Sequence, residues 1–264
     1  MTAFALQRSV GTLLHVLPRT KRFIMSTLVR TFQRNTRGRD FVVGDIHGHF
    51  ARLDTALREV DFDRSVDRLF SVGDLVDRGP ESSRVLDYLK QPWLFAVRGN
   101  HEDMAIRHPN GHRDTEAYRN NGGGWFIDSP IEFQLEVATA LSALPIAISI
   151  NTLAGKFGIV HADCPTPSWD EFTRQLEDPL LSKTELKRLL GGALWSRERI
   201  EWDDQRLVRD VAAVIVGHTP VPRSRCIGNV HYTDTGVCYP KLNKLTLFQV
   251  SPDAETVIRE AATT

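Results

Sequence analysis

The chain has 264 residues, of which 41% are hydrophobic and 25% charged, the balance of an ordinary globular protein with room for a sizeable core. Its 33 Lys and Arg offset 33 Asp and Glu, so no global positive field favours nucleic acid through counterion release, and no nucleic-acid partner is expected. Cys164, Cys226 and Cys238 are odd in number and too scattered for a disulfide framework or a zinc-ligand spacing, which suits a reducing compartment and a cytoplasmic protein.

The N-terminus is basic: Arg8, Arg19, Lys21, Arg22, Arg30, Arg34, Arg37 and Arg39 precede the first acidic residue, Asp40. Residues 1–38 read as an extension ahead of a catalytic domain over 39–264. Two origins stay open, a transit peptide or an upstream stretch ahead of a true start at Met25. The apolar run from Ala3 to Leu17 is broken by Gln7, Arg8 and His15, too short and too polar to cross a bilayer, so no membrane partner is expected. The pattern then predicts a strand over Asp40–Gly44, a helix over Phe50–Val60, a strand over Arg68–Val72, a helix over Glu81–Lys90, a strand over Trp93–Val97 and a helix from about Glu102. Glycine and asparagine at His108–Gly111 and Asn120–Gly124 read as loop. Ile131–Leu144 reads as a helix stopped by Pro145, and Ile146–Ile150 and Phe157–Val160 as a hairpin about Thr152–Gly155. Helices at Ser168–Glu177 and Ser182–Leu190 follow. Strands are predicted at Ala212–Val216, Gly228–Tyr232, Lys244–Val250 and Glu255–Ile258. Strands alternating with helices indicate an α/β chain without repeats.

The chemistry lies in the turns. Gly44-Asp45-Ile46-His47-Gly48, Gly73-Asp74-Leu75-Val76-Asp77-Arg78-Gly79 and Gly99-Asn100-His101-Glu102 each end an apolar run and precede a helix-like stretch, about one βαβ unit apart. His161, after Gly158-Ile159-Val160, and His218, after Val214-Ile215-Val216-Gly217, also sit at strand ends. In α/β sheets ligands collect at the carboxyl ends of strands. A single Gly-Asp or strand-end His is more often a turn or a structural imidazole. Their conjunction in order matches a two-metal phosphoesterase site, which needs a bridging carboxylate with terminal oxygen and imidazole ligands.

With these motifs, and with Pro92-Trp93, Asn121-Gly122-Gly123-Gly124-Trp125-Phe126, Leu194-Trp195-Ser196-Arg197-Glu198-Arg199-Ile200 and Tyr232-Thr233-Asp234-Thr235-Gly236, the chain resembles the phosphoprotein phosphatase family of metallophosphoesterases, in particular its phage lambda and bacterial members, from about Arg39 to Val250. The resemblance implies a four-layer fold, two mixed β-sheets face to face between helices. It implies one metal on Asp45, His47 and Asp74, and a second on the shared Asp74 with Asn100, His161 and His218. Mn²⁺ is the implied ion, with Fe and Zn²⁺ suiting the same donors. Asp77 and His101 would form a dyad whose imidazole protonates the departing alkoxide. Arg78 and Arg197 would clamp the phosphoryl oxygens and Asn100 would also touch substrate, though Arg197, close to Arg199, equally reads as a solvated surface charge. The implied activity is hydrolysis of phosphoserine and phosphothreonine on phosphoprotein substrates, with phosphotyrosine as a further substrate, by direct attack of a metal-bridging hydroxide. A symmetrical bis(nucleosyl)-tetraphosphatase is the alternative. Gly122-Gly123-Gly124 reads either as a phosphate-binding backbone or as a turn. Asp163 and Asp234 read either as supports for ligand histidines or as turn residues. Trp93 and Trp125 read as core aromatics, and Cys164 as a small packing residue.

Overall fold

The structure, a computed structural model, describes residues 27–111, 114–250 and 258–264; the expectations about residues 1–26, a start at Met25 among them, and about residues 255–257 lie outside them. The strands in chain order are β1 (Val29–Phe32), β2 (Asp40–Val43), β3 (Arg68–Ser71), β4 (Leu94–Ala96), β5 (Ala147–Thr152) and β6 (Gly155–Ile159). They continue with β7 (Ala213–Val216), β8 (Arg225–Ile227), β9 (Val230–Tyr232), β10 (Thr246–Val250) and β11 (Ile258–Thr263). The helices are α1 (Phe50–Glu59), α2 (Val85–Leu89), α3 (Asn100–Arg107), α4 (Thr115–Tyr118), α5 (Gly124–Ile127) and α6 (Ile131–Ser142). The last three are α7 (Trp169–Glu177), α8 (Lys183–Trp195) and α9 (Glu198–Glu201).

Two mixed sheets result. One has the order β1-β5-β6-β7-β9-β8 and the other β11-β10-β2-β3-β4. In the second sheet β2, β3 and β4 run parallel, Phe41 beside Leu69 and Leu69 beside Leu94, while β10 closes on β2 in the antiparallel sense. Side-chain alternation explains why Phe41–Val43, Leu69–Phe70 and Leu94–Ala96 are apolar on both faces of the sheet. Phe41 and Val43 face the helices with Phe50, Leu53, Val137 and Leu141, whereas Val42 and Phe70 face the first sheet, meeting Ile148, Phe157 and Ile215. On the far side of that sheet Val214 and Val216 pack on Trp169, Phe172 and Leu189 of α7 and α8. Helix, sheet, sheet and helix thus form the four layers.

The predicted hairpin is present, with Thr152 opposite Gly155. Several elements differ from the reading of the sequence, which did not contain β8, α4 or α9. The stretch Glu81–Lys90 divides into a short 3₁₀ turn, Ser82–Arg84, and α2. The third helix begins at Asn100, not Glu102, because Gly99 takes the N-cap and the Glu102 carboxylate accepts the Gly99 N–H at 2.8 Å. The glycine-rich stretch is a wide helical turn over Arg119–Gly123 rather than an open loop. Most consequential is β1, which pairs in parallel with β5, Val29 opposite Ala147, and sets Phe32 4.5 Å from Phe95 and 5.1 Å from Phe70. The boundary drawn between residues 38 and 39 is therefore corrected, since the sheet already starts at Val29. Arg30 lies over the Phe32 ring, so a cation that gave the segment its tail-like composition helps to cover the sheet edge.

A candidate metal centre at the carboxyl ends of the strands

The loops after β2, β3, β4, β6 and β7 converge on one point. Their backbones are bent sharply: His47, Asp74, Asp77, Arg78 and His218 all have positive φ, between 43° and 70°. Such conformations persist only where surrounding contacts hold them. Here the Ile46 and His47 N–H groups both donate to the Asp74 carbonyl at 3.1 and 2.8 Å, and Gly48 N–H donates to Leu75 O at 2.8 Å. Glu102, fully buried, accepts the N–H groups of Asp74, Leu75 and Gly99 at 2.8 Å each and so ties the second loop to the third. The first loop also presses on the other sheet. A β-carbon at Gly217 would lie 2.0 Å from Asp45 Oδ1, and one at Gly99 would lie 2.2 Å from Asp74 Oδ1. Only glycine lets these backbones approach the carboxylates.

All six residues expected as metal ligands meet here, each buried. His47 Nδ1 and His161 Nδ1 face the Val76 and Val72 carbonyls at 2.9 and 2.8 Å, and since a carbonyl cannot donate, these nitrogens carry the protons. That tautomer leaves each Nε2 lone pair pointing inward. His47 Nε2 lies 3.7 Å from Asp74 Oδ2 and 3.8 Å from Asp45 Oδ2. His161 Nε2 lies 3.3 Å from Asp74 Oδ1 and 2.8 Å from Asn100 Oδ1, and His218 Nδ1 stands 3.0 Å from the same amide oxygen. Electron-pair donors facing one another are what a cation requires. Two triads have their donor atoms within 4.8 Å of one another, His47, Asp74, His101 and Asp74, His161, His218, with Asp74 common to both. In the first, His101 stands where Asp45 was expected, yet its Nδ1 is committed to Asp77 Oδ2 at 2.7 Å.

The electrostatics point the same way. Burial pushes the Asp45 carboxyl well above its usual range, and Asp234 and Asp74 push it further. Burial and Asp74 likewise raise Glu102 to about 7, and burial holds Asp234 at about 6. Burial opposes ionisation of Asp74 too, but His161, His101 and His47 draw its carboxyl well below normal. Burial alone would depress His161, yet Asp74 draws its pKa upward. Negative charge gathered and buried in this way is what a bound cation would offset.

The remaining expected residues separate. Arg78 donates from Nη1 to His47 Nε2 at 2.7 Å and to the Tyr239 hydroxyl at 3.2 Å, so its guanidinium closes the mouth of the centre. Arg197 is exposed and donates to His218 O at 3.4 Å, on the rim. Arg199 instead is buried, donating from Nε to both Asp163 oxygens at 3.0 and 3.1 Å. Asp163 therefore serves that ion pair and not a ligand histidine. Trp93 and Cys164 are core residues as expected. Trp125 is not simply a core aromatic, because its Nε1 donates to Asp77 Oδ1 at 2.7 Å. The sequence signal for Glu102 was its place three residues after a cap; for Trp125 the only signal was the glycine run before it.

Carboxylates, imidazoles and an amide converging on strand-end loops of a two-sheet sandwich, with an Asp-His pair and arginines beside them, define a metallophosphoesterase. The chain belongs to the calcineurin-like phosphoesterase family, which it matches over residues 41–222. It is 37% identical over 202 residues to serine/threonine-protein phosphatase 1 of Salmonella typhimurium LT2, covering 75% of this chain and 87% of the relative. It is 29% identical over 182 residues to the symmetrical bis(5'-nucleosyl)-tetraphosphatase of Coxiella burnetii Dugway, covering 66% of this chain and 57% of the relative. A protein serine/threonine phosphatase from Saccharomyces cerevisiae shares the fold with a TM-score of 0.61 at 17% identity, covering 89% of this chain and 84% of that one. Among the described residues no helix is long and apolar enough to cross a membrane.

Proposed function

We propose that the protein is a metal-dependent serine/threonine protein phosphatase of the cytoplasm, acting on phosphoprotein substrates and also accepting phosphotyrosine. The observation that carries this reading is the placement of His101, whose Nε2 faces the shared Asp74 at 3.8 Å while Nδ1 rests on Asp77 at 2.7 Å. A serine or threonine alkoxide is a poor leaving group and needs a proton in the transition state, whereas a nucleoside polyphosphate departs more readily without one. A positioned imidazole answers the first need. The higher identity and fuller coverage of the phosphatase-named relative support the same choice.

In this reading Asp45, His47 and Asp74 hold one ion, and Asp74, Asn100, His161 and His218 hold the other. Mn²⁺ is the proposed ion, and Fe or Zn²⁺ suits the same mixed donors. Two such ions supply a water activated at neutral pH and neutralise charge on the phosphoryl group. The chain supplies the rest. Arg78 and Arg197 present guanidinium forks to the phosphoryl oxygens, and the Asn100 amide would touch the substrate as well. His101 delivers the proton from Nε2 to the leaving oxygen, while Asp77 fixes the ring through Nδ1.

The test is a comparison of kcat/KM for phosphoserine, phosphothreonine and phosphotyrosine peptides with that for diadenosine tetraphosphate, all with Mn²⁺. Phosphopeptides should be preferred. A preference for the dinucleotide would replace this reading with that of a symmetrical bis(nucleosyl)-tetraphosphatase.

A further inference from the structure

A carboxylate held by one hydrogen bond can rotate about its Cβ–Cγ bond; one held through both oxygens cannot do so without breaking a contact. Asp77 is held through both. Its Oδ2 meets His101 Nδ1 at 2.7 Å, and its Oδ1 accepts the Trp125 indole N–H at 2.7 Å and the Tyr118 hydroxyl at 3.2 Å. Burial and the neighbouring carboxylate push the Tyr118 phenol far above its ordinary pKa, so this hydroxyl keeps its proton and donates. Both donors come from one segment, α4 through the wide turn to α5. The same segment grips the next residue, since Arg78 N–H donates to Gly122 O at 3.3 Å. It can approach so closely because Gly122 has φ +97° and no side chain: a β-carbon there would lie 2.6 Å from Arg78 N. Asp77 and Arg78 are themselves consecutive residues at φ 70° and 66°, a conformation that needs external contacts to persist. The Arg119–Asp128 ion pair, 2.6 Å, bridges the segment's own ends.

We infer that the segment Tyr118–Trp125 is a positioning strap: Trp125 and Tyr118 aim Asp77, and through it His101, while Gly122 seats the backbone of Arg78. The glycines thus act on the arginine and not on phosphate directly. The inference rests on the proposed role of His101 as proton donor. It makes Trp125 and Tyr118 positioning residues, because each acts on the donor ring through the Asp77 carboxylate.

The experiment compares Trp125→Phe, which keeps an aromatic ring but removes the N–H donor together with the five-membered half of the indole, and Tyr118→Phe, which removes a hydroxyl alone, with His101→Asn and the Trp125→Phe/His101→Asn double variant, each loaded with Mn²⁺. If the strap aims the dyad, Trp125→Phe lowers kcat on a phosphoserine peptide by about 10–100-fold, the usual effect of losing a partner one shell out, with KM unchanged. The loss on p-nitrophenyl phosphate, whose leaving group needs little protonation, stays within a few-fold. In the His101→Asn background the second change should then cost nothing more. In metal-free protein the downfield NMR resonance of the His101 Nδ1 proton should broaden in Trp125→Phe. Equal losses on both substrates, additive losses in the double variant, or an unchanged kcat with an unchanged resonance would each overturn the inference. If His101→Asn itself shows no dependence on leaving group, the proton-donor reading falls and takes the strap with it, an outcome distinct from a silent Trp125→Phe. Should Trp125→Phe not fold, Tyr118→Phe carries the same comparison.

Discussion

Adding one methyl group at Gly217 should disable the centre without replacing a ligand. The new β-carbon would sit 2.0 Å from Asp45 Oδ1 and 2.5 Å from Val72 Cγ2. Non-bonded carbon and oxygen do not approach much below about 3 Å, so either the Asp45 carboxylate or the Gly217–His218 backbone must move by roughly 1 Å. Neither has slack, because the His218 N–H already donates to both Asp45 oxygens at 3.1 and 3.2 Å. A misplacement of this size typically costs about 10²-fold in turnover, and overpacking of this kind about 1–3 kcal/mol in stability. The assay is phosphopeptide kcat alongside metal content by mass spectrometry, with melting followed in chelator. Gly191→Ala is the control: it lies in α8 with nothing within 4 Å of the new β-carbon, and replacing a helical glycine should add about 0.5–1 kcal/mol. If Gly217→Ala keeps two metals and wild-type turnover, the cradle described around Asp45 is wrong.

Three further outcomes follow from other parts of the molecule. Asp74→Ala removes the carboxylate common to both donor triads, so both metals and all measurable phosphatase activity should be lost together, and retention of either would refute the shared role. Arg199→Ala strands the buried Asp163 carboxylate and should cost about 3–5 kcal/mol in chemical denaturation, with little effect if the pair were solvated. Burial lowers the His231 pKa from 6.5 to about 4, so between those pH values the unfolded chain binds a proton that the folded one does not. Stability should therefore fall as pH drops through this window, by about 3 kcal/mol in total, and His231→Asn should flatten that part of the profile.

The sequence reveals what local chemistry dictates. The runs ending at Val43, Val72 and Val97 are legible as strands because parallel strands buried on both faces need apolar residues at every position. The ligand positions are legible because each carboxylate or imidazole stands on a glycine-framed turn. Contacts across the chain leave no such trace. β1 is four residues long, too short for a period-two signal, and Arg30 with the nearby Arg34, Arg37 and Arg39 outweighs its two anchors, Val29 and Phe32, in any reading of composition. Arg197 and Arg199 lie two residues apart and look alike in sequence, yet one reaches the rim of the centre and the other is sealed against Asp163. Trp125 reads as core until Asp77, 48 residues earlier, is seen to need its N–H.

The six proposed ligands do not come from one layer. Asp45, His47, Asp74 and Asn100 follow strands of one sheet, while His161 and His218 follow strands of the other, and Asp234 adds its carboxyl from the second side. Without cations the seam gathers buried acids from both sheets, and with them the same groups become a bracket across it. Metal supply would then govern persistence as well as turnover: at a free ion concentration about 1,000 times Kd, mass action adds about 4 kcal/mol to folding. A cell starved of that ion would not merely silence this protein. It would hold the protein in a looser state that proteases reach first, so that the amount of enzyme, and not only its activity, follows the metal.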